Sequence, residues 1–257
     1  MTSQILQLTP EQIVTQVCLA YDLGLGIFVN KENAEDMLPT ASQEIQIQFL
    51  FWMTQMDYAT KSAKLYENCN RFYEKNKSWL EPRYLLDRNS DDLFKLVQDN
   101  LKPRYPNEIV KRFQQNAQIL LDQYHGKAIE IVEQSTSAQD LLNKIKAFRG
   151  FGDKLGNYLL RTYVNVMNLN FADLNEILPP VDVHDVRLTY EWGLVESKVM
   201  TTSNINTVKK IWSQACIASN KSWLKFDKAL WLIGSKGERS NNPAQDFAKN
   251  LGLNAIL

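Results

Sequence analysis

The stretch Phe148-Arg149-Gly150-Phe151-Gly152-Asp153-Lys154-Leu155-Gly156-Asn157-Tyr158-Leu159 decides the reading of this chain. Two glycines two positions apart sit between amphipathic segments. Upstream, Ser137-Ala138-Gln139-Asp140 has the form of a helix start, and Leu141, Leu142, Ile145 and Phe148 recur at helical spacing. Downstream, Leu155, Tyr158, Leu159 and Val166 mark another helix. The pattern predicts helix, tight hairpin, helix, because glycine lets the backbone turn sharply and come close to a ligand. Further on, Pro179-Pro180 stops the chain, and the box Pro180-Val181-Asp182-Val183-His184 opens a new helix with Val186 and Tyr190 behind it.

The remaining segments are helical too. Thr9-Pro10-Glu11-Gln12 predicts a capping box with proline at the first helical position. Leu23 to Phe28 holds two glycines and ends that helix. Residues 42–75 predict one long helical stretch closed by Pro82. Ser90 is expected to cap a helix running to about Asn100. Asn107 is expected to cap another, with Ile109, Phe113, Leu120 and Tyr124 on one face, His125 near its end and Gly126 as its stop. Two late helices are predicted near 204–219 and 221–233, and the tail from Gly234 is polar and then weakly apolar. Regular two-residue alternation and internal repeats are missing, so the expectation is an all-α fold of two helical lobes. Residues 1–95 are expected to pack with 196–257, and 96–195 to form the central lobe carrying the hairpin.

A chain of 257 residues with 44% apolar side chains can bury a sizeable core. Its zero formal net charge argues against a histone-like binder, but the charge is uneven. Residues 141–170 carry Lys144, Lys146, Arg149, Lys154 and Arg161 against Asp153 alone, which places any phosphate-facing patch mid-chain. Cys18, Cys69 and Cys216 are scattered and offer neither a disulfide framework nor a metal spacing, which fits a reducing compartment. Neither a signal peptide nor an apolar run of about 20 residues is apparent, so a cytoplasmic protein without a membrane partner is expected, nucleoid-associated in a bacterium.

The hairpin's amides and the helix N-terminus behind it suit a phosphate, a contact that anchors the backbone without reading sequence. A lone G-x-G also occurs in ordinary helix–helix turns. Here Lys154 follows at the start of the second helix. Partial burial and the positive helix end would favour a neutral, nucleophilic amine. Asp182, flanked by valines at a helix start, could steady positive charge developing at a sugar carbon. Taken singly, Asp182 also fits a helix cap and Lys154 a surface lysine.

Together these residues resemble the helix-hairpin-helix DNA glycosylases, in which L-P-G-V-G-x-K is followed by V-D-x-H. The matching residues run from Phe148 through Lys154 and from Val181 to His184. The resemblance is specific over about 137–192 and architectural elsewhere, and it is nearest to the 8-oxoguanine branch. It implies a bifunctional glycosylase and abasic-site lyase acting as a monomer on a base flipped out of damaged double-stranded DNA. Lys154 would be the Schiff-base nucleophile and Asp182 the acid that activates it, with β-elimination cutting the strand. Gly150 and Gly152, with Arg149 and Lys146, would hold backbone phosphate, with room for a monovalent cation at the hairpin. His184 would support the loop. Arg149 departs from the family's proline. Asp182 follows Lys154 by 28 positions, a long interval whose extra length falls in 168–177. The segment after Gly234 lacks cysteine, so no iron–sulfur cluster is expected, and no metal.

Phe51, Trp52, Tyr58, Trp212, Trp223 and Trp231 are candidates for stacking on a base, though most aromatics at helical spacing belong to a core. Two other readings stay open: an N-glycosidase acting on a free or modified nucleoside, and a non-catalytic helix-hairpin-helix protein that only grips DNA.

Overall fold

The computed structural model describes residues 6–31, 34–57 and 61–253. Among them every regular element is a helix and no strand occurs, which makes the fold all-α. The chain divides into two compact units, one of Met1–Glu32 with Asn175–Leu257 and one of Asn33–Leu174.

In the first unit, α1 (Pro10–Leu23) starts as the sequence predicts: the Thr9 hydroxyl accepts from the Gln12 amide while the Gln12 side chain accepts from the Thr9 amide. It ends at Gly24 in the left-handed region. The second unit is built on α2 (Gln43–Thr54). From Phe49 to Thr54 every side chain of this helix is fully buried. A helix apolar all round needs neighbours on every side. Those neighbours include α3 (Ser62–Lys75), α7 (Ala128–Glu133) and α9 (Asp153–Met167). Polar groups on α2 bond the connections around it: Gln48 donates to the carbonyls of Leu80 and Gly126, and the Trp52 indole donates to Leu80 at 2.7 Å.

Between these elements run α4 (Pro82–Leu86), α5 (Ser90–Leu96), a π-turn at Val97–Leu101, α6 (Pro106–Tyr124) and α8 (Ala138–Lys146). The first unit resumes with α10 (Val183–Glu191), α11 (Thr202–Ala218), α12 (Trp223–Lys236) and α13 (Pro243–Asn250). Its core is aromatic: Trp192 meets Trp212 at 6.0 Å and Phe247 at 5.4 Å, and Trp212 meets Phe226 at 5.0 Å.

The units divide the chain elsewhere than at the expected 1–95 and 96–195 boundaries. Only residues 1–32 of the N-terminal third join the C-terminal helices, where α1 packs on α11 and α12. A backbone interlock accompanies this pairing. Gly26, at φ +54°, lies so close to the 250–252 backbone that an added Cβ would stand 2.2 Å from the Asn250 carbonyl oxygen. Residues 34–57 and 61–95 instead belong to the unit that carries the hairpin, where α2 packs on α9.

Several local expectations shift. Residues 42–75 are two helices rather than one. Pro82 opens α4 instead of closing a region, since proline suits a first helical turn. Asn89, not Ser90, caps α5. The helix α6 starts at Pro106 without a side-chain cap, so Asn107 caps nothing. The tail after Gly234 contains α13, which the sequence reading left out.

Candidate active site

The hairpin forms as α8, a turn at 147–152 and α9. Ser137 caps α8 by accepting from the Asp140 amide. Asp173, in the long connection after α9, reaches back to accept from the amides of Ala138 and Gln139 at 2.8 and 3.0 Å. Although burial raises the Asp173 carboxyl, these amides hold it below the usual range. The added length at 168–177 is thereby tied to the hairpin's first helix.

Aromatic packing fixes the turn. Phe148 and Phe151 are buried on Phe51, at 4.9 and 5.7 Å between ring centres, and Tyr124 flanks Phe148. Gly150 has φ +89°, where a side chain is strained, and the Arg112 side chain lies across it. Gly152 precedes α9 without a side-chain cap, and the space where its Cβ would be is open to 4 Å. A helix start whose cap carries no side chain is one an anion can approach. Further along, Gly156 lets α9 approach Lys146 and Leu142 of α8.

The sequence reading missed the residue that clamps this turn. Asn116, fully buried on α6, accepts from the Arg149 amide at 2.8 Å and donates to the Arg149 carbonyl at 2.9 Å and to Gln55 at 2.8 Å. The Arg112 guanidinium donates to the Gln55 carbonyl, so the turn after α2 and the hairpin are joined by one polar network. The signal was visible as a lone amide inside the apolar stripe Ile109, Phe113, Leu120, Tyr124.

The cations of the hairpin are engaged. Lys146 bonds Asp153 at 2.7 Å. Arg149 bonds Glu108 and Gln115 on α6. Although burial raises the Glu108 carboxyl, Arg149 and Arg112 hold it low. Lys154 occupies the second position of α9 and is exposed rather than partly buried, because the first turn of α9 turns this face outward.

Asp182 and His184 belong to the other unit. Asp182 is buried at the start of α10, where its carboxylate accepts from the amides of His184 at 2.7 Å and Asp185 at 3.4 Å. Asp185 completes a reciprocal box by accepting from the Asp182 amide. Asp182 is thus a cap and still a carboxylate held in one orientation. Arg187 lies 3.1 Å from His184 Nδ1 and donates to the Gly234 carbonyl. A guanidinium only donates, so Nδ1 accepts, which is the neutral imidazole. Burial holds His184 below the ordinary histidine value, with Arg187 adding to the effect and Asp182 opposing it.

Lys146, Arg149, Gly150, Gly152 and Lys154 are therefore brought together by one hairpin, and Asp182 and His184 by one helix start. Residues 151–255 match the family model described as AGOG, N-glycosylase/DNA lyase. Over this span the chain is similar to that family. The match begins inside the hairpin and includes Lys154, Asp182 and His184, while Lys146, Arg149 and Gly150 lie just before it. It makes the protein a DNA N-glycosylase with lyase activity, which sets aside the non-catalytic reading. No curated protein matches the chain.

Among the aromatic candidates, Phe51, Trp52, Trp212 and Trp223 are buried in the cores and are unavailable to a base, whereas Trp231 is exposed on α12. Tyr58 lies outside the described residues. The three cysteines are free and buried, and burial pushes the Cys216 thiol up to about 12 and the Cys18 thiol up to about 11. His125 ends α6 in the left-handed conformation, as a C-terminal cap. Among the described residues no cluster of three or more His, Cys, Asp or Glu gathers to hold a metal, and no single helix is long and apolar enough to cross a membrane.

Proposed function

We propose that this N-glycosylase/DNA lyase removes an oxidised purine, 8-oxoguanine above all, from damaged double-stranded DNA, with Lys154 as the Schiff-base nucleophile. The observation that carries this reading is the place of Lys154 on α9. It stands within one turn of the open helix start at Gly152, so a phosphate anchored there leaves the flanking sugar within reach of the amine.

The amine attacks C1′ of a flipped nucleotide and the base departs with the electrons of the glycosidic bond. The Asp182 carboxylate, oriented by two amides, steadies the cationic character of the sugar and activates Lys154. The C1′–O4′ bond then breaks, O4′ leaving as a hydroxyl and C1′ forming an iminium with the nitrogen; the iminium permits loss of a proton from C2′, and the 3′ phosphate leaves by β-elimination. Gly150 and Gly152, with Arg149 and Lys146, hold the backbone, His184 supports the acid's loop, and Trp231 is the exposed ring available to the base. The protein works as a monomer in a reducing, cytoplasmic compartment. It needs neither a metal nor an iron–sulfur cluster, and a monovalent cation at the hairpin would help to hold the phosphate.

The test is borohydride trapping on duplexes carrying 8-oxoguanine or an abasic site. We expect a covalent adduct with each, lost in Lys154→Gln. An adduct that survives the substitution removes Lys154 from this role. Trapping with the abasic duplex alone would keep the lyase and refute the base. Hydrolysis of a free nucleoside without any duplex adduct would favour the nucleoside N-glycosidase.

A further inference from the structure

Two arginines meet on one carbonyl beside His184. Gly234 lies in the last turn of α12, where a helix's carbonyls lack amide partners of their own. Arg187 of α10 donates to the Gly234 carbonyl at 2.6 Å, and Arg239, just beyond α12, donates to it as well. A carbonyl oxygen has two lone pairs, and the two guanidiniums occupy them. Because Gly234 has no side chain, the imidazole packs directly on this turn: an added Cβ would stand 2.6 Å from the His184 Cβ and 3.4 Å from its Cγ. The carbonyl is thus taken, and what Nδ1 of the ring meets is a donor, Arg187 at 3.1 Å. Glu191, one turn along α10, steadies Arg187 in this place at 3.6 Å.

We propose that Arg187, helped by Arg239, is a positioning residue for the reaction: it holds His184 as the neutral imidazole with its proton on Nε2, so that a hydrogen-bond donor rather than a cation follows Asp182 at the start of α10. The His184 amide already bonds the Asp182 carboxylate at 2.7 Å. A charged ring on the same residue would compete with the sugar for that carboxylate and weaken its hold on the developing cation. Several groups act on the ring. Burial opposes its charging most, Asp182 favours it, Arg187 and Arg239 side with burial, and the Gly234 carbonyl sides with Asp182. From α11, which also packs on α10, Trp212 brings an uncharged indole that donates to Thr189. Removing either arginine therefore tips the ring toward the cation that Asp182 draws.

The inference rests on Asp182 being the carboxylate that steadies the sugar. The chain has two histidines, so isotope-labelled histidine gives two ring signals, and His125→Gln leaves that of His184. Long-range proton–nitrogen spectra then read its tautomer and its titration. In the full-length protein we expect a neutral ring at neutral pH, protonated on Nε2 and titrating below an ordinary histidine. Arg187→Met removes the donor at Nδ1, and Arg239→Ala frees a lone pair of the carbonyl. Each should raise the His184 titration and admit the form protonated on Nδ1. Single-turnover release of 8-oxoguanine from a duplex is followed alongside. Arg187→Met should be slower by roughly tenfold at mildly acidic pH, the scale of one charged contact, and recover as pH rises through the His184 titration. An arginine with a merely structural role would lower the rate evenly at every pH. The exposed Arg239 provides the same readouts if Arg187→Met does not fold. A wild-type ring protonated on Nδ1, or charged at neutral pH, would overturn the proposal. So would a His184 titration that neither substitution moves, or a rate loss without pH dependence. Undiminished base release in Asp182→Asn, or none in wild type, would instead overturn the proposed function, with the spectra still deciding the tautomer.

Discussion

Replacing Asn116 by alanine tests whether the hairpin is held by a buried amide or by its own turn. The substitution removes three bonds at once: two to the Arg149 backbone and one to Gln55. Gln55 is fully buried, so its orphaned side-chain oxygen costs about 1–3 kcal/mol. The two hairpin bonds are only part-buried, and water replaces some of their strength, so each is worth about 0.5–1 kcal/mol. The total is about 3 kcal/mol. For a chain of this size each kcal/mol lowers the melting temperature by roughly 2–4 °C, so calorimetry should show a fall of about 6–12 °C. The same loss frees the turn that presents Gly150 and Gly152, so affinity for duplex DNA should fall beyond what unfolding explains, measured well below the new melting temperature. A variant within about 0.5 kcal/mol of wild type, with unchanged DNA affinity, would refute the clamp and leave the fastening to the aromatic plugs Phe148 and Phe151 and to the bonds of Arg149 with Glu108 and Gln115.

Two further substitutions probe the neighbouring features. Glu108→Gln releases Arg149 and Arg112 from their carboxylate; if Arg149 contacts phosphate, duplex affinity should rise and the slope of log K against log salt should steepen by up to about one, whereas unchanged binding would deny Arg149 that contact. Gly234→Ala places a Cβ 2.6 Å from the His184 Cβ, neither of which can swing aside, so α10 and α12 must separate. We expect a loss of about 1–3 kcal/mol in urea unfolding, despite alanine's better helix propensity, and an unchanged or raised midpoint would show that the helices are free to move there.

Much of the chain was legible because its signals are local. Capping at Thr9 and Ser137, the glycine turn at 150–152, the cap at Asp182 and the helical spacing around them all depend on residues within a few positions of one another, so the sequence alone established helices, hairpin and acid box. Lys154 was singled out in the same way, by its place relative to two glycines. The rest is held by pairs far apart in the chain. Asn116 meets Arg149 across 33 positions and Gln55 across 61, and Arg149 meets Glu108 across 41. Which cation finds which carboxylate and which aromatic becomes core depend on how helices cross, and no periodicity records that. The same reason explains the unit boundaries: the contact of Gly26 with Asn250 and the demand of α2 for cover on every side are properties of packing, which only the folded backbone decides.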